Sequence, residues 1–279
     1  LSVSGSAAHE AEGGRPSPVG AGVAAGLEAG PEAGGEPDIA PVASCAWRPS
    51  AAPFEHATAL ALCIDASARP ASAAAWRDGR LVELVLSDDR QHASDLLPAL
   101  QRLVEVLGAR PREARLVVVG TGPGSYTGLR VAIATALGLS RASQAAALGI
   151  PSGEAVCLEL CADGESCTLA LDARSGGTTL ATYRRRGAQV EVVSAPEWVP
   201  IAEAARRLPA EGLLVVDATV PDLCGLDAAQ RARCLPMRPP RAGHLLRLGL
   251  ARHAAGASTP LDELAPLYLR DFEPSVRKR

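Results

Sequence analysis

The sequence predicts an α/β protein built as two lobes, and three observations carry that reading. An apolar strand pattern at residues 116–119 runs into a glycine-rich turn, Gly120 to Gly128, and then into a helical pattern at 129–148. Upstream, residues 59–64, 72–76 and 81–86 read as strand, turn, strand, turn, strand. Downstream, 168–171, 178–183 and 189–193 are further short strands, with a Ser175-Gly176-Gly177 turn between the first two. The chain has 279 residues, enough for one or two domains with a sizeable core.

Residues 1–55 are more than half Gly, Pro and Ala, with no apolar periodicity. Such a segment buries too little surface to offset its ordering entropy, and disorder is expected. It is either a genuine flexible extension or the upstream translation of a misplaced start. The pattern changes at Thr58. The three strands that follow, with Asp78-Gly79 as the hairpin signal between the second and third, are how a ribonuclease-H-like lobe begins. The expected fold is therefore two ribonuclease-H-like lobes of the actin/Hsp70/sugar-kinase (ASKHA) class. In that class the first turn reads DxGT and holds a nucleotide phosphate. Here it reads Asp65-Ala66-Ser67, a degenerate phosphate turn without the glycine that admits the phosphate. Asp65 is either catalytic or a turn former that bonds its own backbone.

Residues 94–107 form an amphipathic helix with Leu96, Leu100, Leu103, Val104 and Leu107 on one face, Pro98 near its first turn and Gly108 as its stop. His92 stands at its entrance, either as a hydrogen-bonded positioner or as a ligand. The glycine-rich turn fits neither standard phosphate signature. GxGxxG requires glycine where Ser125 or Thr127 stands, and a Walker loop requires a lysine where the chain's only one is Lys278. Two readings remain for it, a structural tight turn or an anion site on the free N–H groups near Tyr126 to Leu129. The helix after it is apolar or small almost all round. Leu129, Ile133 and Leu137 form one stripe, and Ala132, Ala136 and Leu139 extend it. A helix without a polar face is covered on more than one side. The second cover is either this chain or another helix approaching over Ala132, Ala136 and Gly138. Later, 213–216 is a buried strand ending in Asp217, and 242–253 is a helix that packs back on the first lobe.

Composition excludes several classes. An apolar fraction of 47%, a charged fraction of 21% and a net charge of −3 describe a globular chain without the basic footprint of a nucleic-acid binder. The basic cluster Arg184 to Arg186 sits at a hairpin end, solvated or touching an RNA backbone. Seven cysteines give no disulfide framework. Cys157 and Cys161 share a helical face near Cys167, but no histidine or obvious fourth ligand accompanies them, so they read as buried free thiols and no metal is expected. No apolar run approaches a membrane span and no signal peptide is recognisable, so a cytoplasmic location is expected. There is also no nucleophile with a nearby base and no paired carboxylates at a defined spacing, so activity in isolation is not expected.

The run GTGPGSYTGLRVAIATALGLSRA resembles the signature of the TsaB (YeaZ) family, Gcp-like proteins of tRNA threonylcarbamoyladenosine biosynthesis, whose pattern is GPGSFTGLRVGLATAKGLA. The match over Gly122, Pro123, Gly124, Ser125, Tyr126, Thr127, Gly128, Leu129 and Arg130 has one change, tyrosine for phenylalanine at Tyr126. Lesser matches follow the family order: CIDAS at 63–67, HASDLLPAL at 92–100, LDAR at 171–174 and PLYLR at 266–270. Residues 149–162 also align, with Ser152, Gly153 and Glu154 replacing apolar residues, and a frayed strand is expected there.

The resemblance implies a non-catalytic subunit that binds and activates a TsaD-type threonylcarbamoyltransferase. A TsaE-type ATPase would join the same complex, tRNA would be reached indirectly, and the isolated chain would form a homodimer. It places partner binding on Leu129, Ala132, Ile133, Ala136 and Leu137 with Leu96 and Leu100, and has the glycine turn set the angle of the docking helix. No cofactor is implied in this chain, with ATP or ADP possible at the partner interface. The division expected is an extension at 1–55, a first lobe at 56–150, a smaller second lobe at 151–240, a returning helix and PLYLR segment at 241–270, where Tyr268 is a core or interface anchor, and a basic tail at 271–279. The rival readings are a nucleotide-dependent small-molecule kinase of the same fold and a glycoprotease-like peptidase. The second lacks the HxxxH pair, since none of the five histidines has that spacing.

Overall fold

The computed structural model describes residues 59–86, 92–173 and 176–269. The expected extension at 1–55, the basic tail, Arg174, Ser175, Arg270 and the side chain of His92 lie outside the described residues. The elements run β1 (Leu60–Asp65), β2 (Ser72–Arg77), β3 (Arg80–Val85), α1 (His92–Val106), β4 (Ala114–Gly120), α2 (Tyr126–Ser143), β5 (Ala146–Ile150) and α3 (Gly153–Leu160). They continue as β6 (Ser166–Asp172), β7 (Gly177–Arg186), β8 (Gln189–Pro200), α4 (Ile201–Arg207), β9 (Leu213–Val216), α5 (Val220–Leu223), α6 (Ala228–Ala232), β10 (Cys234–Pro236) and α7 (Ala242–Ala254). Two five-stranded mixed sheets result, ordered β3-β2-β1-β4-β5 and β10-β9-β6-β7-β8.

Period-two burial explains the layering. In β1, Leu60, Leu62 and Ile64 point to one face of the first sheet and pack with α1 and α2. The alternate residues Ala61 and Cys63 point to the other face, where α3 and α7 lie between this sheet and Leu169, Ala181 and Tyr183 of the second. The far face of the second sheet packs Leu180, Val199 and Leu214 against Ala204 of α4 and Val220 of α5. Helix α7 is fixed by its first turn. Ser72 Oγ accepts from Ala242 N at 2.9 Å, and the buried Glu83 carboxylate accepts from Gly243 N at 2.9 Å and from Arg241 Nη2 at 2.8 Å. A carboxylate at a helix N-terminus is where the helix dipole favours one.

Three local expectations are corrected. The helix expected over 129–148 stops at Ser143, because Gln144 takes a left-handed C-cap (φ 55°) and turns the chain into β5, which pairs with β4. Residues 152–154 are not a frayed strand. They open α3, where Ser152 and Glu154 are each 1% exposed and hydrogen-bonded. The partner-facing assignment of Leu96, Leu100, Leu129, Ala132, Ile133 and Ala136 fails, since all six are 5% exposed or less. The stripe at 129, 132, 133, 136 and 140 is the face that covers the first sheet, and α1 closes the same core. Leu137 is half-buried at its edge.

Candidate functional site

The ends of β1, β4, β6 and β9 converge on a cleft of about 900 Å³. In open α/β sheets, the crevice beyond the carboxyl ends of parallel strands is where ligands are held. Here β1 runs parallel to β4, and β6 parallel to β9. On one side lie Ser67, Arg69, Gly124 and Ser125. Asp172, Asp217 and Trp198 lie on the other.

The first turn is built around Asp65, which is 1% exposed. Its Oδ1 accepts from Ser67 N at 3.0 Å and Ser67 Oγ at 2.7 Å, and its Oδ2 accepts from Ser152 Oγ at 2.5 Å. Ser152 Oγ in turn accepts from Gly122 N at 3.1 Å. Asp65 therefore ties β1, the glycine-rich turn and the start of α3 together. Burial pushes its pKa up, and the three hydrogen bonds pull it partly back. Of the two sequence readings of Asp65, this is the turn former. Asp65→Ala would leave buried donors without an acceptor, at about 2 kcal/mol, whereas Asp65→Asn keeps Oδ1 and loses about 1 kcal/mol. Urea unfolding of the two variants distinguishes them.

The glycine-rich turn lies directly on the first turn. Ser125 N donates to Ser67 O at 2.6 Å. A Cβ on Gly124 would stand 2.1 Å from Ser67 O, and one on Gly128 would stand 2.1 Å from Ala66 O. Gly122 and Gly124 have φ of 94° and 159°, and Ser125 caps α2 by accepting from Gly128 N at 3.2 Å. The glycines thus admit this chain's own backbone, with no phosphate needed to explain them. Pro123 and Thr127 line the cleft beside them.

Tyr126 begins α2, half exposed. Arg130 Nη1 donates to its hydroxyl at 2.6 Å, and its ring stands 5.5 Å from that of Tyr268. The PLYLR segment is held here, Leu267 N donating to Thr121 O at 2.9 Å. Two stretches far apart in sequence therefore form one wall of the cleft.

The opposite wall was missed at the sequence level. Asp217 Oδ2 accepts from Asp172 N at 2.8 Å; burial pushes the Asp217 pKa up, that hydrogen bond pulls it partly back, and the nearby Asp172 carboxylate raises it a little further. Both aspartates sit at strand ends, the one signal that could have marked them. The arginine cluster is largely engaged within the chain. Arg185 Nη1 donates to Cys161 O at 2.9 Å and Leu158 O at 3.3 Å, satisfying the C-terminal carbonyls of α3, while Arg186 pairs with Glu191 at 3.1 Å.

The outward face of α2 carries Thr127, Arg130, Ala134, Gly138 and Arg141, all exposed, with Val131 and Leu137 half-buried at its margin. A Cβ on Gly138 would meet nothing within 4 Å. Helix α1 packs beside α2 and turns out Leu97, which is 54% exposed.

This geometry defines an α/β protein of two mixed sheets whose turn after β1 is closed over by its own glycine-rich loop. The family described as "TsaD: tRNA N6-adenosine threonylcarbamoyltransferase" matches residues 81–222, just over half of the chain. The chain belongs to the TsaB (YeaZ) family of Gcp-like proteins. Among curated relatives it is 28% identical over 225 residues to the tRNA threonylcarbamoyladenosine biosynthesis protein TsaB of Escherichia coli K12, covering 75% of this chain and 94% of that protein. Two Pseudomonas aeruginosa structures share the fold, each covered completely by 76% of this chain. They are YeaZ (24% identity, TM-score 0.65) and a protein described as similar to peptidase YEAZ (23%, TM-score 0.66). No helix among the described residues is long and apolar enough to cross a membrane.

Proposed function

We propose that the chain serves tRNA threonylcarbamoyladenosine biosynthesis as a non-catalytic subunit of two ribonuclease-H-like lobes, which docks on a TsaD-type threonylcarbamoyltransferase and supports its activity. The family supports the pathway. The observation that carries the docking role is the outward face of α2, where Ala134 and Gly138 let another helix approach closely between Val131 and Leu137. Among the described residues, nothing covers Gly138. Arg130 and Arg141 flank the strip and Leu97 of α1 adds apolar area. Fixed through Ser125 and Gly128, the glycine-rich turn sets the angle at which this helix leaves β4.

A homodimer in isolation would use the same strip, so the transferase displaces one copy. A TsaE-type ATPase joins through the assembled pair, ATP or ADP binds between subunits, and tRNA is held chiefly by the partner. Such a role belongs in the cytoplasm. Reconstitution tests the reading. Threonylcarbamoyl transfer to tRNA by the TsaD-type enzyme is measured with and without this chain, and transfer should require it. Full transfer without it would refute the proposal. In the same experiment the isolated chain should bind ATP weakly by calorimetry, since its own loop covers the first turn. Tight binding would favour the kinase reading of the cleft.

A further inference from the structure

The helix α3 brings Cys157 and Cys161 one turn apart on one face, and β6 beneath it directs Cys167 at the same point. The three Sγ atoms lie within 4.8 Å of one another, and the three residues are 2% exposed or less. We propose that Cys157, Cys161 and Cys167 form a binding site for one thiophilic divalent cation of the zinc class. Packing alone does not require three thiols to converge, because a buried cysteine otherwise behaves as a small apolar side chain.

The donor set is all sulfur, which selects soft ions over magnesium or calcium. Thiolates on a tetrahedral zinc, at bonds of about 2.3 Å, stand about 3.8 Å from one another. Side-chain rotations closing the cluster by about 1 Å or less therefore suffice. Charge favours a divalent ion. Each thiol gives up its S–H proton to solvent, and three thiolates around M²⁺ leave a net −1. The Arg185 guanidinium, bonded to Cys161 O at 2.9 Å, stands beside it to offset that charge. A monovalent ion would leave −2 in a buried site, where unpaired charge is strongly disfavoured. The fourth position falls to water, which enters where Cys161 ends α3 next to the exposed residues 162–165.

The full reduced chain, purified without metal, is titrated anaerobically with Cd(II) as the spectroscopic stand-in and then with Zn(II) as competitor. The thiolate-to-metal absorption should saturate at one equivalent of Cd(II), and Zn(II), the weaker thiolate binder, should lower it only in large excess. Cys161→Ala should weaken Cd(II) binding by more than about 100-fold, the upper range for loss of a mere supporting contact. Cys224→Ala with Cys234→Ala should leave it unchanged. X-ray absorption on the wild-type Cd(II) complex, which needs no variant to fold, should show three sulfur neighbours. Absence of the band, saturation that survives Cys161→Ala, two or fewer sulfurs, or Cu(I) binding without Zn(II) binding would each overturn the assignment.

Discussion

Arg252→Ala is expected to cost the fold about 3–5 kcal/mol at neutral pH, the range for leaving a buried carboxylate without its partner. Glu154, in the first turn of α3, is 1% exposed. Arg252 of α7 grips it with both terminal nitrogens: Nη1 donates to Oε1 at 3.2 Å, and Nη2 donates to Oε2. The same Nη2 reaches Val190 O at 3.2 Å, so one guanidinium joins α3, α7 and β8. Burial pushes the Glu154 pKa above the ordinary value of 4.5, and Arg252 pulls it partly back. The sign follows from that direction. With a raised pKa the folded state takes up the proton more readily than the unfolded chain. Its contribution is present below the unfolded value and lost as pH rises through the folded one. Removing Arg252 raises the folded value further. The deficit of the variant should therefore be largest at pH 7 and shrink as pH falls toward about 4.5. Urea unfolding of both proteins across that window measures it. A deficit under about 1 kcal/mol, or one that ignores pH, would contradict the account.

The second large effect is expected from Gly128→Ala. The added methyl would stand 2.1 Å from the Ala66 carbonyl oxygen, a backbone atom that cannot rotate away. Relief requires separating α2 from the turn after β1, and overpacking of this kind costs about 3 kcal/mol. The melting temperature should fall by about 6–12 °C for a domain of this size. Gly138→Ala is the matched contrast on the same helix, because its methyl meets nothing within 4 Å. It should stabilise by about 0.5–1 kcal/mol through helix propensity alone. Thermal melts of the pair decide the matter. Equal effects would mean that the glycine-rich turn is not pressed against β1.

The fold was legible where pattern and physics coincide. The strand-turn-strand opening, the strand running into the glycine-rich turn and the helix at the start of the returning segment all follow from apolar periodicity and turn residues. The end of α2 was not legible, because Ala145, Ala147 and Leu148 suit either a helix or a buried strand, and Gln144 is an uncommon left-handed stop. Which side of α2 faces outward was misjudged for a related reason. A helix apolar all round offers no polar stripe to orient it, and the largest residues, Leu129 and Ile133, went to the sheet while Ala134 and Gly138 were left outside. At the site, Asp65, Ser67 and the glycine-rich turn were visible as a pair of turns, but not that one rests on the other. The opposing Asp172 and Asp217, and Tyr268 against Tyr126, meet only through long-range contacts that no local spacing records. The convergence of Cys167 on Cys157 and Cys161 is likewise a product of α3 packing on β6.

The docking role rests on a strip of small residues along α2, and a charge placed there measures it most directly. Ala134 is exposed and the new side chain points into solvent, so the isolated variant should keep the wild-type fold by circular dichroism while running as a monomer. Its affinity for the TsaD-type transferase, read by calorimetry or size exclusion, should fall by about 100-fold, the scale of a lost interface hot spot. A variant that binds the transferase as tightly as the wild type would show that this strip is not where the partner sits.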